Sequence, residues 1–326
     1  MRRYWCWSVA ALLLTASTVV EADAQTAPYP SKPVQIIADS SAGSTPDVAL
    51  RFVAERLGDS WGQQVLVVNR PGAGGSLAAR AAADAEPDGY TLYQPVLSTF
   101  VALQSPAPNI PLHVPKDFQP IGFVTENPMF IAVSPSLGIS TFPELIALAK
   151  KKRGEISYAT TGVGRLTHLT GELLQHEAGI KLLLVPYTGG PSHAISDVAT
   201  GRVAAIIEGY SGIAGAARSR SVKLLAVASA KRLREFPDVP TVAETIPGFQ
   251  ATGWAVLVAP NGTPEPIIRK VSDDLRKVLA QPELEKKLAT LGSYAVAMSP
   301  GEATAFVHKQ QQMWQPVLDE IAKKGK

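Results

Sequence analysis

Ile156-Ser157-Tyr158-Ala159-Thr160-Thr161-Gly162-Val163-Gly164-Arg165-Leu166-Thr167-His168-Leu169-Thr170-Gly171-Glu172-Leu173 reads as a short strand, a loop of threonine and glycine, and a helix beginning near Thr167. A helix start carries free backbone N–H groups at the positive end of its dipole, so this junction suits an anion. The glycines let backbone approach a ligand closely, and Thr160, Thr161 and Thr167 add hydroxyls. Taken alone, the segment is equally an ordinary β–α turn with Thr167 as N-cap. Comparable junctions rich in Gly, Ser and Thr stand at 39–47, 69–76 and 187–193, and this recurrence decides the fold class.

The chain around these junctions alternates strand and helix. Val34–Ile37 is a buried strand, followed by a helix with Thr45 as N-cap, Pro46 in its first turn and Gly58 as its stop. Val65–Val68 leads through Asn69-Arg70-Pro71-Gly72-Ala73-Gly74-Gly75-Ser76 into an Ala-rich helix, and Tyr90–Tyr93 is a third strand. The stretch from Ser105 to Pro120 holds five prolines and reads as an irregular excursion. A second region starts with a strand at Phe130–Val133, then a capping box at Thr141–Glu144 opening a helix. Strands at Leu182–Val185, Val203–Ile207 and Leu224–Ala228 follow, and Trp254–Val258 marks a return crossing. Helices opened by Pro264, Pro282 and Pro300 close the chain; the last one packs through Phe306, Met313, Val317 and Ile321 and kinks at Pro316. The alternation predicts an α/β fold with mainly parallel sheets, in which ligands sit beyond the carboxyl ends of strands.

Composition agrees with a globular chain: of 326 residues, 46% are hydrophobic and 18% charged. A net charge of +3 without a basic stripe gives no argument for nucleic acid. Arg2 and Arg3, the apolar Val9–Leu14, and Ala22-Asp23-Ala24 form an export signal over residues 1–24, cleaved before Gln25. The single cysteine, Cys6, leaves with it, so disulfides and Cys-ligated metals are not expected.

Catalytic and cofactor motifs are weak. Gly72-Ala73-Gly74-Gly75-Ser76-Leu77 has leucine where a dinucleotide loop needs Gly or Ala. There is no Walker loop, no G-x-S-x-G and no H-E-x-x-H, and no cofactor or metal is expected. His168, in the first turn of the helix after Arg165, orients the loop, touches ligand, or is a satisfied structural histidine. Arg165 pairs with a carboxylate or faces solvent, Glu208 accepts from a ligand or lies on the surface, and Tyr187 bonds ligand or walls the cleft. Trp61, Trp254 and Trp314 read as core. No nucleophile–base pair is visible, so a receptor outranks an enzyme.

Several segments, in this order and spacing, carry a family resemblance: Tyr29-Pro30-Ser31-Lys32-Pro33, the Gly43–Asp47 loop, Asn69–Gly75, Pro87-Asp88-Gly89-Tyr90-Thr91-Leu92, Tyr158–Leu173, Val185-Pro186-Tyr187 and Pro237-Asp238-Val239-Pro240-Thr241. The chain resembles the Bug family of periplasmic solute-binding receptors of tripartite tricarboxylate transporters. The resemblance implies a periplasmic binding protein-like (Venus flytrap) fold of two α/β domains, 25–127 plus 249–326 and 128–248, with a ligand cleft between them. It also implies a small carboxylate ligand, an inner-membrane permease as partner, and a monomer. Carried over by position, Ser44 and Thr45 in one domain and Thr160, Gly162, Gly164, Thr167 and His168 in the other grip the ligand. Ala73, Gly74, Ser98 and Tyr187 line the rest, with Arg165 and Glu208 beside them. Three departures bear on specificity: Asp39-Ser40-Ser41 replaces a common Pro-Phe-Pro or Pro-Phe-Ala, Arg165 a usual Ser, and Glu208 a frequent Asp. Competing readings are a secreted enzyme with His168 or His193 as base, and a receptor feeding a signalling partner.

Overall fold

The computed structural model describes residues 28–102 and 116–324. The expected export signal, and the proline-rich stretch up to residue 115 with His113, lie outside the described residues.

Strand β1 (Val34–Ala38) is buried almost throughout, as expected of a strand covered on both faces. Helix α1 (Thr45–Trp61) follows, with Ser44, not Thr45, at the N-cap position. Leu50, Val53 and Leu57 recur at helical spacing and are buried. The helix does not stop at Gly58: it ends at Gly62, which takes a left-handed φ of 62°. Gly58 serves a close approach instead, since a Cβ there would lie 3.1 Å from the Gln63 carbonyl oxygen. Then come β2 (Val65–Asn69), α2 (Ser76–Ala83), β3 (Thr91–Gln94) and the short α3 (Leu97–Ala102).

Strand β4 (Phe118–Val133) is far longer than the sequence signal at Phe130–Val133. Pro120, Gly122 and Pro128 hide its first part, and the register shifts between Pro120 and Gly122 and between Phe123 and Thr125 show how the strand absorbs them. Next come α4 (Phe142–Lys151), β5 (Ser157–Thr160), α5 (Leu166–Ala178), β6 (Leu183–Pro186), α6 (Pro191–Ala199), β7 (Ala205–Gly209), α7 (Tyr210–Arg218) and β8 (Lys223–Val227). The capping box on α4 is complete: Thr141 Oγ1 accepts from the Glu144 amide and Glu144 returns the bond to the Thr141 amide. Such a cap is worth about 1 kcal/mol. Helix α7 has no comparable start signal, because Gly209-Tyr210-Ser211-Gly212 reads locally as a turn. The chain returns through β9 (Thr252–Pro260), α8 (Glu265–Leu279), α9 (Pro282–Ala289), β10 (Tyr294–Ala295) and α10 (Pro300–Lys324). On α10, Val307 and Trp314 are buried while Met313 is 51% exposed, contrary to its expected packing; the side chains of Val317 and Ile321 lie outside the described set.

The strand order is β2-β1-β3-β9-β4-β7-β5-β6, with β8 and β10 also pairing β4. Pairs β1–β2, β1–β3, β5–β6 and β5–β7 are parallel. The centre is antiparallel, because β4 runs from the first strand group to the second and β9 runs back. Residues 118–128 of β4 pair with β9, and residues 129–133 pair with β7 and β8. Ile36, Leu50, Leu57, Val271 and Leu275 pack one side of the first group. Phe130, Val198, Ile206 and Ile213 pack one side of the second. A larger cluster spans both, with Trp254 stacked on Phe100 at 5.8 Å and edge-on to Phe306 at 5.6 Å.

Candidate functional site

The carboxyl ends of β1, β5 and β7 and the first turns of α1 and α5 meet around one cavity. The β1–α1 loop is held by Asp47, buried in the first turn of α1. Asp47 accepts from the Gly43 amide at 2.8 Å, Asn69 Nδ2 at 2.8 Å and Arg51 Nε at 3.2 Å. Asn69 also donates to the Ser40 carbonyl at 3.0 Å, and Ser44 Oγ donates to the Ser41 carbonyl at 2.7 Å. The loop is therefore fixed before any ligand arrives.

The β5–α5 loop is braced from its own helix. Thr167 Oγ1 accepts from the Thr161 amide at 3.2 Å, which places Thr167 inside the first turn, and Arg165 occupies the N-cap position. His168 Nδ1 accepts from the Gly164 amide at 3.2 Å, while Nε2 lies 3.8 Å from Glu172 Oε1. Burial lowers the His168 pKa against the opposing pull of Glu172, so the ring is neutral at pH 7 and its Nδ1 is free to accept. These contacts tie His168 to the loop and to its own helix.

Arg165 projects across the cavity. Its guanidinium donates to the backbone oxygen of Asp39, and Nη1 lies 3.5 Å from Thr99 Oγ1. Asp39 itself is wholly buried. Its Oδ2 accepts from Thr99 Oγ1, from Tyr93 OH at 3.2 Å and from the Val96 amide at 3.4 Å, and Oδ1 has no partner. Burial pushes the Asp39 pKa up; Arg165 and these donors pull it back. Gly75 makes the arrangement possible, since a Cβ there would stand 2.5 Å from Thr99 Oγ1 and 3.0 Å from Asp39 Oδ2.

Glu208 ends β7 at 3% exposure. Oε1 accepts from the Gly209 amide at 2.9 Å and Oε2 has no partner. Burial drives its pKa up to about 7, against the Gly209 amide, the Thr161 hydroxyl and Arg165. Among the described residues no cluster of His, Cys, Asp and Glu could hold a metal.

The cavity measures about 70 Å³. At about 10–15 Å³ per water it has room for roughly five waters, the scale of a small organic acid. Ser40, Ser41, Ser44, Ser98, Asn127, Thr161, Arg165, Thr167 and Glu208 give it polar walls. Pro46, Val96, Leu97, Met129, Leu166, Gly253 and Trp254 give it apolar ones. Of the residues expected at the site, Ser44, Ser98, Arg165, Thr167 and Glu208 line it. Thr45, Ala73, Gly74, Thr160, Gly162, Gly164, His168 and Tyr187 do not. Thr45 instead accepts from Ser211 Oγ at 2.8 Å, and Tyr187 is turned to Asp197 Oδ2 at 2.6 Å. Ala73 and Gly74 sit in a short turn beside Gly75. Asn127, Met129 and Trp254 were not legible as lining residues: they belong to crossing strands with no motif, and Trp254 is both core and wall.

The family model described as the tripartite tricarboxylate transporter family receptor matches residues 49–323. Protein BugT of Bordetella pertussis is 34% identical over 317 residues, covering 96% of each chain. The periplasmic binding protein BugD superposes with a TM-score of 0.81 at 31% identity, over 91% of this chain and 99% of its own. An R. palustris protein solved with adipate gives 0.84 at 27%, over 89% and 97%. MatC from Rhodopseudomonas palustris with bound malate gives 0.79 at 28%, over 89% and 100%. The chain belongs to the tripartite tricarboxylate transporter receptor family, whose members are solute receptors with the periplasmic binding protein fold.

Proposed function

We propose that the protein captures a small carboxylate in the periplasm between two lobes, residues 25–127 with 249–326 and residues 128–248, and delivers it to a membrane permease. The observation that carries this is Arg165: a guanidinium carried by the N-cap residue of α5, the one cation in a cavity walled by hydroxyls, an amide, apolar groups and the Glu208 carboxyl. A guanidinium takes a carboxylate through parallel N–H bonds, and the helix start adds favourable dipole. Adipate and malate, bound by the two structural neighbours, are both carboxylates. Ser44, Ser98, Arg165, Thr167 and Glu208 touch the ligand in this reading. Thr45, Ala73, Gly74, Thr160, Gly162, Gly164 and His168 hold the loops, and Tyr187 frames the α6 end.

The lobes join where β4 and β9 pair through Asn127↔Gly253 and Pro128↔Thr252. Two strands crossing side by side confine rotation to a few backbone dihedrals, the requirement for a hinge. A ligand touching both lobes then favours closure by its differential affinity. The export signal at 1–24 brings the chain to the periplasm, where it acts as a monomer.

The test is thermal unfolding of the mature protein with mono-, di- and tricarboxylates, amino acids and neutral sugars. An acid at a hundredfold over its Kd adds about 2.7 kcal/mol, a rise of roughly 5–10 °C. A melting temperature unmoved by every acid but raised by a sugar would refute the reading.

A further inference from the structure

Resting on that carboxylate reading, we propose that the occupant is a monocarboxylate with an apolar body, and that Asp39 is the residue that disfavours a second carboxylate. The cavity wall holds one cation, Arg165, and one acid, Glu208. Directly behind lies Asp39, wholly buried, with one oxygen unpartnered. Three donors converge on its other oxygen and, with Arg165, offset part of the burial that raises its pKa.

Arg165 is already committed to this neighbour. One part of the guanidinium faces the Asp39 carbonyl, another faces Thr99, and Thr99 in turn donates to the Asp39 carboxylate. Two of its five N–H donors are engaged in this way, which leaves three for a ligand. The field of Asp39 offsets much of the charge that a dianion would need.

Apart from the neutral hydroxyls of its serines and threonines and the Asn127 amide, the rest of the wall offers a second carboxylate no cation. Val96, Leu97, Met129, Leu166 and Trp254 are apolar. Asn127, the polar group in the crossing strands, donates to Thr125 Oγ1 at 3.2 Å and accepts from Ser293 Oγ at 2.8 Å. Against the apolar side chains a charged group loses its water without gaining a donor, whereas a hydrocarbon or aromatic ring is stabilised by them.

The experiment is calorimetric titration of the mature protein with hexanoate, benzoate and phenylpropanoate against adipate, malate and citrate. Hexanoate and adipate share a six-carbon chain and differ by one carboxylate, so their ratio reads the proposal directly. Hexanoate or an aromatic monoacid is expected to bind at least tenfold more tightly than adipate. Equal or tighter binding of adipate or malate overturns the proposal while leaving the carboxylate reading intact. Silence from every acid overturns both. Phenylalanine binding more tightly than phenylpropanoate would also overturn it, by placing an ammonium against Glu208. In Asp39→Asn the adipate-to-hexanoate affinity ratio is expected to rise about tenfold; an unchanged ratio removes Asp39 from the account. Thr99→Val removes the hydroxyl that bridges Arg165 and the Asp39 carboxylate at nearly constant volume, leaving the direct bond to the Asp39 carbonyl, and is expected to move the ratio the same way, so a poorly folding Asp39 variant does not end the test.

Discussion

Replacing Glu208 with glutamine should stabilise the protein above pH 7 and do little in acid. The carboxyl is buried, with Oε2 unpartnered, and its pKa is raised from 4.5 to about 7. Between those values the folded chain holds a proton that the unfolded chain has released. The neutral acid's contribution is therefore complete below about pH 4.5 and is lost as pH rises through about 7. At about 1.4 kcal/mol per pKa unit, the ceiling on that loss is on the order of 3 kcal/mol. For a chain of this size it corresponds to a melting-temperature penalty of roughly 6–12 °C. Urea unfolding of wild type and Glu208→Gln at intervals from acid to alkaline pH would measure it. The titrations of His168, Asp39 and the surface groups are common to both proteins and cancel in the difference. The difference should be small in acid, grow through neutrality and flatten in alkali. Parallel profiles would mean that the carboxyl is ionised and solvated, and the reasoning about its burial would fail. A bound carboxylate adds a second signature: wild-type affinity should weaken as pH rises through about 7, and that of the glutamine variant should not.

Three further outcomes follow from contacts around the cleft. Gly209→Ala would place a Cβ 2.2 Å from Thr45 Oγ1 and 2.7 Å from Thr45 Cβ, wedging α1 from α7; ligand affinity should fall tenfold or more with a larger radius of gyration in solution scattering. Asp47→Ala leaves the Gly43 amide without its acceptor and Asn69 Nδ2 with only the Ser40 carbonyl, and denaturant melts should show a loss of about 2–4 kcal/mol. Arg165→Met keeps the length of the side chain but removes its charge; titration should show carboxylate affinity reduced about a hundredfold, as expected for losing a charge-assisted pair.

Sequence reading succeeded where the signal is local. A Pro after a capping Ser or Thr, a left-handed glycine after a helix, and a β-branched run before a Gly/Thr loop each act within a few residues. That suffices for α1, α4, α5, α8 and both loops that meet at the cavity. The helix stop at Gly58 was misread because glycine serves two purposes, chain reversal and close approach, and only the neighbouring Gln63 carbonyl tells them apart. The crossing strands were illegible for a related reason. Pro120, Gly122 and Pro128 break the alternation that marks a strand, and a partner strand more than a hundred residues away absorbs them through shifted register. With β4 hidden, Asn127 and Met129 could not be placed on the cavity wall.

The two buried acids beside Arg165, Asp39 and Glu208, call for a physical reason, because a core made for stability alone would replace them with apolar side chains. They flank one cation: Asp39 leaves β1, Glu208 ends β7, and Arg165 stands between the strand groups that supply them. Removing Arg165 would leave Asp39 buried without the opposite charge that now stabilises its ionised form. Glu208 behaves differently, since at about pH 7 it can shed its charge by holding a proton. One acid thus sets how much of the guanidinium's charge faces the ligand, and the other adds repulsion only as the medium turns alkaline. On the proposed carboxylate reading, selectivity is then a matter of charge balance around Arg165 more than of the loop amides.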